Sequence, residues 1–211
     1  MRGLYLVTDR ALCGSRSLED VVSQALRGGV AYVQLREKNV STRFFIEEAR
    51  NIKALTSRYR VPLIINDRLD VALAVEAEGV HIGQDDMPYA AARKLMGPQS
   101  IIGLSVETWD DVVKAQELDV DYLGVSPVFE TPTKADTKGN WGLEGLARIK
   151  AYSHHPLVGI GGLNASNVHD VIMAGADCVA VVSAICAAPD TLRATRELLD
   201  IIHAALEKRS I

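Results

Sequence analysis

Residues 62–88, PLIINDRLDVALAVEAEGVHIGQDDMP, carry the alternation on which the fold turns. An apolar β-branched run ends in Asn66-Asp67, an amphipathic stretch follows, and a second apolar run ends in Asp85-Asp86. The same pattern recurs along the chain. RGGVAYVQL, EAEGVHIGQ, ELDVDYLGV and MAGADCVAV each close a helix, turn, and open a strand. Strands are read at residues 4–8, 32–36, 63–66, 80–83, 101–106, 122–128, 157–161 and 178–183. Near-continuous apolar strands fit a parallel sheet buried on both faces. Helical periodicity falls at about 18–27, 42–58, 69–76, 89–96, 108–118, 142–151, 165–174 and 191–207. Ser17 followed by Asp20 resembles a capping box, and Asn164 and Asp190 are expected N-caps.

Eight such units in 211 residues predict a single α/β domain spanning 1–211, a (β/α)8 TIM barrel with parallel strands. An open doubly wound sheet is the competing arrangement. The composition is ordinary for a globular chain, with 48% hydrophobic and 24% charged residues. Aromatic residues make up 5%, so Val, Ile, Leu and Ala must build the core. A net charge of −4 gives no nucleic-acid or membrane surface. No apolar run is long enough to span a bilayer, and no signal peptide is read. The three cysteines, Cys13, Cys178 and Cys186, form no CxxC and are expected as free thiols in a cytoplasmic protein. A homo-oligomer is left open.

In a barrel of this kind the site forms at the carboxyl ends of the strands. Side chains alternate along a strand, so Gln34, Arg36 and Lys38 share one side while Val33 and Leu35 share the other. The polar trio is expected at the barrel mouth. A structural salt-bridge layer with Asp67 or Asp9 is the plainer alternative. Asp67 and Asp86, with Asp85 as alternative to Asp86, are candidate ligands for a divalent metal, although each could simply cap a helix. Mg2+ is commonly held by one or two carboxylates and substrate phosphates. Residues 129–141, FETPTKADTKGNW, form a long polar connection offering Thr131, Thr133 and Lys134, with Gly139 as a pivot for a lid. Gly161-Gly162 and Ser183 follow the last two strands, where barrels often bind phosphate on backbone amides. Two anion sites, one cationic and one neutral, point to two phosphorylated substrates. No Ser-His-Asp or Cys-His constellation is visible, which favours direct displacement. His81 is either a pocket residue or a satisfied core histidine.

YLVTDR, VQLREK, IINDRLDVAL, GVHIGQDD, IIGLSV, DYLGVSPVFETPTKAD, VGIGGL and AVVSAI, taken in order, resemble the thiamine phosphate synthase family over nearly the whole chain. The resemblance implies a Mg2+-dependent transferase of thiamine biosynthesis. It would join hydroxymethylpyrimidine diphosphate to hydroxyethylthiazole phosphate, releasing diphosphate. By the resemblance, Gln34, Arg36, Lys38, Asn66, Ser105 and Lys134 would meet the pyrimidine diphosphate, with Leu35 and Glu37 flanking them. Arg36, Lys38, Ser105 and Lys134 would be the catalytic set. Asp67 and Asp86 would hold Mg2+. Thr131, Pro132 and Thr133 would border the thiazole phosphate, and Gly162, Val182 and Ser183 would seat its phosphate. The chain departs from the family in reading Ser126-Pro127 where many relatives have Gly-Pro. It also lacks the histidine that the related thiazole tautomerase branch carries just after the serine of SVETWDD. That tautomerase, and a non-catalytic binder of thiamine precursors, are the alternatives.

Overall fold

The computed structural model describes residues 1–131 and 139–209. Eight parallel strands close on themselves in sequence order, β1 pairing with both β2 and β8. They are β1 (Gly3–Val7), β2 (Tyr32–Leu35), β3 (Leu63–Asn66), β4 (Gly79–Ile82), β5 (Ile101–Val106), β6 (Tyr122–Val125), β7 (Leu157–Gly159) and β8 (Cys178–Val181). The helices are α1 (Leu18–Gly28), α2 (Thr42–Tyr59), α3 (Leu69–Ala74), α4 (Tyr89–Met96), α5 (Trp109–Ala115), α6 (Gly142–Tyr152), α7 (Val168–Met173), α8 (Ser183–Cys186) and α9 (Thr191–Arg209). The arrangement is a (β/α)8 barrel. No described helix is long and apolar enough to cross a membrane.

The period of two along each strand sorts its side chains into two cores. Leu4, Leu6, Val33, Leu35, Leu63, Ile65, Val80, Ile82, Leu123 and Val125 face the helices in one large cluster. Tyr5, Val7, Ile64, Tyr122, Val158, Cys178 and Ala180 fill the barrel interior. Helix starts follow local chemistry. Ser17 accepts from the Asp20 N–H at 3.0 Å, and Ser41 accepts from the Phe44 N–H at 3.2 Å. Thr108 and Asp111 close a reciprocal capping box. Asp190 accepts from the Arg193 N–H at 2.9 Å ahead of α9, as its N-cap placement predicts.

Several boundaries differ from the sequence expectation. β6 ends at Val125 and β7 at Gly159, shorter than expected, as the chain leaves the sheet for the mouth. Asn164 caps no helix directly. Its carboxamide oxygen accepts from Ser166 in a turn, and α7 starts at Val168. Residues 182–183 were expected to continue the last strand, yet Ser183 opens the four-residue α8. Arg16 laces the ends of the ring together. Its guanidinium donates to the Cys13, Cys186 and Ala188 carbonyls and to Thr191 Oγ1, at 3.2, 2.6, 2.6 and 2.9 Å. All three cysteines are buried free thiols.

Candidate active site

A cavity of about 360 Å³ opens among the carboxyl ends of the strands. Gln34, Arg36, Lys38, Asn66, Asp67, Asp85, Asp86, Ser105, Thr131, Gly162, Val182 and Ser183 all line it. Seven strand ends are therefore gathered by one fold rule, since parallel strands all end on the same face of the barrel. Pro132, Thr133 and Lys134 lie outside the described residues. So does most of the long connection that carries them.

The strand-two alternation places its side chains as geometry requires. Gln34 faces inward and is buried, with its Nε2 donating to Tyr5 Oη at 3.0 Å. The Arg36 backbone is anchored to Thr8 Oγ1 at 3.0 Å. Among the described residues, the Arg36 guanidinium has no ion-pair partner. Leu35 and Glu37, expected beside Arg36, do not line the cavity. Leu35 is buried in the outer core, and Glu37 pairs with Arg10 at 3.1 Å. Odd and even positions of an extended segment face opposite ways, so these two cannot follow their neighbours into the mouth.

Asp67 and Asp86 converge from adjacent strand ends. Asp67 adopts a left-handed backbone, φ 59°, with its N–H donating to the His81 carbonyl at 2.8 Å. That conformation is uncommon outside glycine, though Asp tolerates it better than most. Lys38 Nζ sits 2.5 Å from Asp67 Oδ2. Asp86 Oδ2 accepts from the Gly83 N–H at 2.7 Å. Burial pushes the Asp86 carboxyl above its ordinary range; the Gly83 N–H pulls it back, and the adjoining Asp67 acid raises it further. Asp85 lines the same cavity but is exposed.

This donor set fits a magnesium ion. Two carboxylates side by side at a half-open mouth repel each other and favour a hard cation between them. Among the described residues, no group of three or more His, Cys, Asp or Glu forms a complete protein cage. Mg2+ does not need one, because phosphate oxygens and water complete its shell. Lys38 is half exposed, so its pair with Asp67 contributes ~0–1 kcal/mol and is readily exchanged for another anion.

Asn66 supplies a second sign of a ligand. Its Nδ2 is the one buried side-chain nitrogen or oxygen without a hydrogen-bond partner among the described residues. A buried donor left unmade costs about 1–3 kcal/mol. The opposite wall is neutral. Gly161 and Gly162 both have positive φ, 104° and 68°. A Cβ on Gly162 would lie 2.7 Å from the Glu130 carbonyl oxygen, so only glycine fits this turn beneath Phe129 and Glu130. Val182 and Ser183 flank it from the end of β8.

The sequence reading missed the two tyrosines of the cavity floor. Tyr5 and Tyr122 point into the barrel and lie beneath the mouth, and His81 joins them. Tyr122 Oη is 3.0 Å from Tyr5 Oη and 3.0 Å from His81 Nδ1, while His81 Nε2 is 2.8 Å from Ser105 Oγ. His81 is therefore both satisfied and part of the pocket. The period of two would have placed Tyr5 with Val7 inside the barrel, opposite Leu4 and Leu6.

Fold and site together define a barrel enzyme whose carboxyl-end mouth pairs acids with cations on one side and bare backbone on the other. Residues 4–185 match the family model described as thiamine monophosphate synthase. A thiamine-phosphate synthase of Albidiferax ferrireducens is 54% identical over 201 residues, covering 95% of this chain and 92% of that protein. One from Chloroflexus aurantiacus is 49% identical over 205 residues, covering 97% and 94%. A solved thiamine phosphate pyrophosphorylase from Pyrococcus furiosus is 39% identical, with a TM-score of 0.89 and 97% and 96% covered. The chain belongs to the thiamine monophosphate synthase family and is a transferase.

Proposed function

We propose that this enzyme joins hydroxymethylpyrimidine diphosphate to hydroxyethylthiazole phosphate in the cytoplasm, giving thiamine phosphate and diphosphate with the help of Mg2+. The observation that carries the reading is the meeting of Asp67 and Asp86 beside Lys38 and Arg36 at the cavity mouth. Asp67 and Asp86 would hold the metal. When bound, it would neutralise charge on the diphosphate and so improve the leaving group.

Arg36 and Lys38 bind the diphosphate and stabilise the charge that grows as the C–O bond breaks. A unit-charge pair at about 4 Å is worth about 4 kcal/mol at an effective dielectric of about 20. Lys134 joins them from the connection after β6. The pyrimidine methylene becomes a ring-stabilised carbocation as diphosphate departs. Ser105, Gln34 and Asn66 hold the ring while the thiazole nitrogen attacks that carbon. Gly162, Val182 and Ser183 anchor the thiazole phosphate on backbone and hydroxyl donors, with Thr131 and Thr133 as further contacts. The protein orients two partners and needs no covalent enzyme intermediate.

A coupled assay with both substrates and Mg2+ tests this. Thiamine phosphate and diphosphate should appear in equal amounts. Diphosphate released without thiamine phosphate would overturn the proposal.

A further inference from the structure

A continuous chain of hydrogen bonds crosses the barrel beneath the cavity. It runs from Gln34 on β2 to Tyr5 on β1, Tyr122 on β6, His81 on β4 and Ser105 on β5, every link between 2.8 and 3.0 Å. Five residues from five strands meet there. Two strand glycines make the room. A Cβ on Gly103 would lie 2.1 Å from the Tyr122 ring, and one on Gly124 would lie 2.9 Å from His81 Cε1. Glycine weakens a strand interior, so two at these points mark space kept for something else. The His81 and Tyr122 rings stack at 5.5 Å between centroids.

The chain has a direction. The Gln34 amide nitrogen can only donate, so Tyr5 Oη accepts there. Tyr5 owns a single proton and is 1% exposed. Donated to Tyr122, that proton is satisfied. The reverse order would leave it without an acceptor among the described residues, a costly orphan in a buried site. Burial holds both phenols above their ordinary range, so each keeps its proton. Tyr122 then donates to His81 Nδ1. The ring proton is left on Nε2 and is given to Ser105 Oγ. In that order Ser105 accepts from below, which leaves its own proton available to an acceptor in the cavity that it lines.

We propose that Tyr122 is a positioning residue that, through His81, fixes the Ser105 hydroxyl as a hydrogen-bond donor into the cavity, with Gln34 and Tyr5 setting the direction. The ligand atom opposite Ser105 is then an acceptor, such as an unprotonated ring nitrogen. The assignment of Ser105 to the pyrimidine substrate rests on the proposed function; the direction of the chain does not.

The direct test is nitrogen NMR of the 15N-histidine-labelled enzyme without substrates, with the His81 signals identified by their loss in His81→Gln. His81 should be the Nε2–H tautomer, and the Nδ1–H tautomer would overturn the proposal whatever the enzyme's reaction. Tyr122→Phe should end the dominance of that tautomer. It should also lower kcat/KM for the pyrimidine diphosphate about tenfold, on the order of one neutral hydrogen bond, and leave KM for the thiazole phosphate unchanged. Tyr5→Phe, which keeps both rings in place, should act in the same direction and less strongly. In a Ser105→Ala background, Tyr122→Phe should cost nothing further, because the group it positions is gone. Additive losses in that double variant, or a raised KM for the thiazole phosphate, would show a structural role and refute the proposal.

Discussion

Asp86 is held where its charge is disfavoured. Its pKa lies above the ordinary 3.8 because burial and Asp67 both oppose ionisation. The folded state therefore binds that proton more tightly than the unfolded chain does. The associated stability is full below pH 3.8 and is lost as pH rises through the raised value. Asp86→Asn removes that loss. The variant should melt at a higher temperature than the parent at pH 7 when divalent cations are chelated, and the gap should shrink as pH falls towards 4. Thermal melts across that range provide the check, and a variant that melts lower throughout would mean that the two acids do not oppose each other. The same substitution should remove Mg2+-dependent turnover. A site that binds a cation gives up stability in its absence, which is a familiar trade between function and fold.

The strands show how the fold could be read and where reading stopped. Val33 and Leu35 against Gln34 and Arg36 were legible because alternation needs no knowledge of partners. The acids of β3 and β4 were legible because polar residues at the ends of apolar runs stand out. The floor of the cavity was not. Tyr5 and Tyr122 sit inside runs that read as ordinary strand, His81 could be read only as a pocket residue or a core histidine, and only closure of the barrel brings the three within reach of Ser105. Gly103 and Gly124 carried the available signal, since neither ends a strand or marks a turn. The α8 helix was invisible for another reason: four residues are too few to show a helical period. Gly103→Ala measures how tightly the β5–β6 interior is filled. The added methyl group would meet the buried Tyr122 ring, and overpacking of this kind costs about 1–3 kcal/mol. Denaturant unfolding should show a lower midpoint with an unchanged slope. An unchanged midpoint would mean that the Tyr122 ring moves aside freely.

Taken together, one wall of the cavity gathers charge while the other offers backbone, and under the proposed function the two phosphorylated ends of the substrates would be told apart by the kind of donor that meets them. Mg2+ and diphosphate should therefore stabilise the protein jointly. A ligand at about 100 times its dissociation constant adds about 2.7 kcal/mol to unfolding. Melting with both present should rise well above melting with either alone, fall back on chelation, and show no joint gain in Asp67→Ala. Equal gains with and without the metal would separate the acids from the diphosphate.

The pairing of β1 with β8 has a consequence for how such a chain comes into being. Leu6 lies beside Val181, 175 residues later. Until β8 is available to pair, the first strand presents an open edge, and open edges invite pairing with other chains. Contacts so distant in sequence are also slow to form. Arg16 can reach the carbonyls of Cys186 and Ala188 only after that delay. The cavity at the carboxyl ends of the strands is therefore incomplete until β8 pairs with β1.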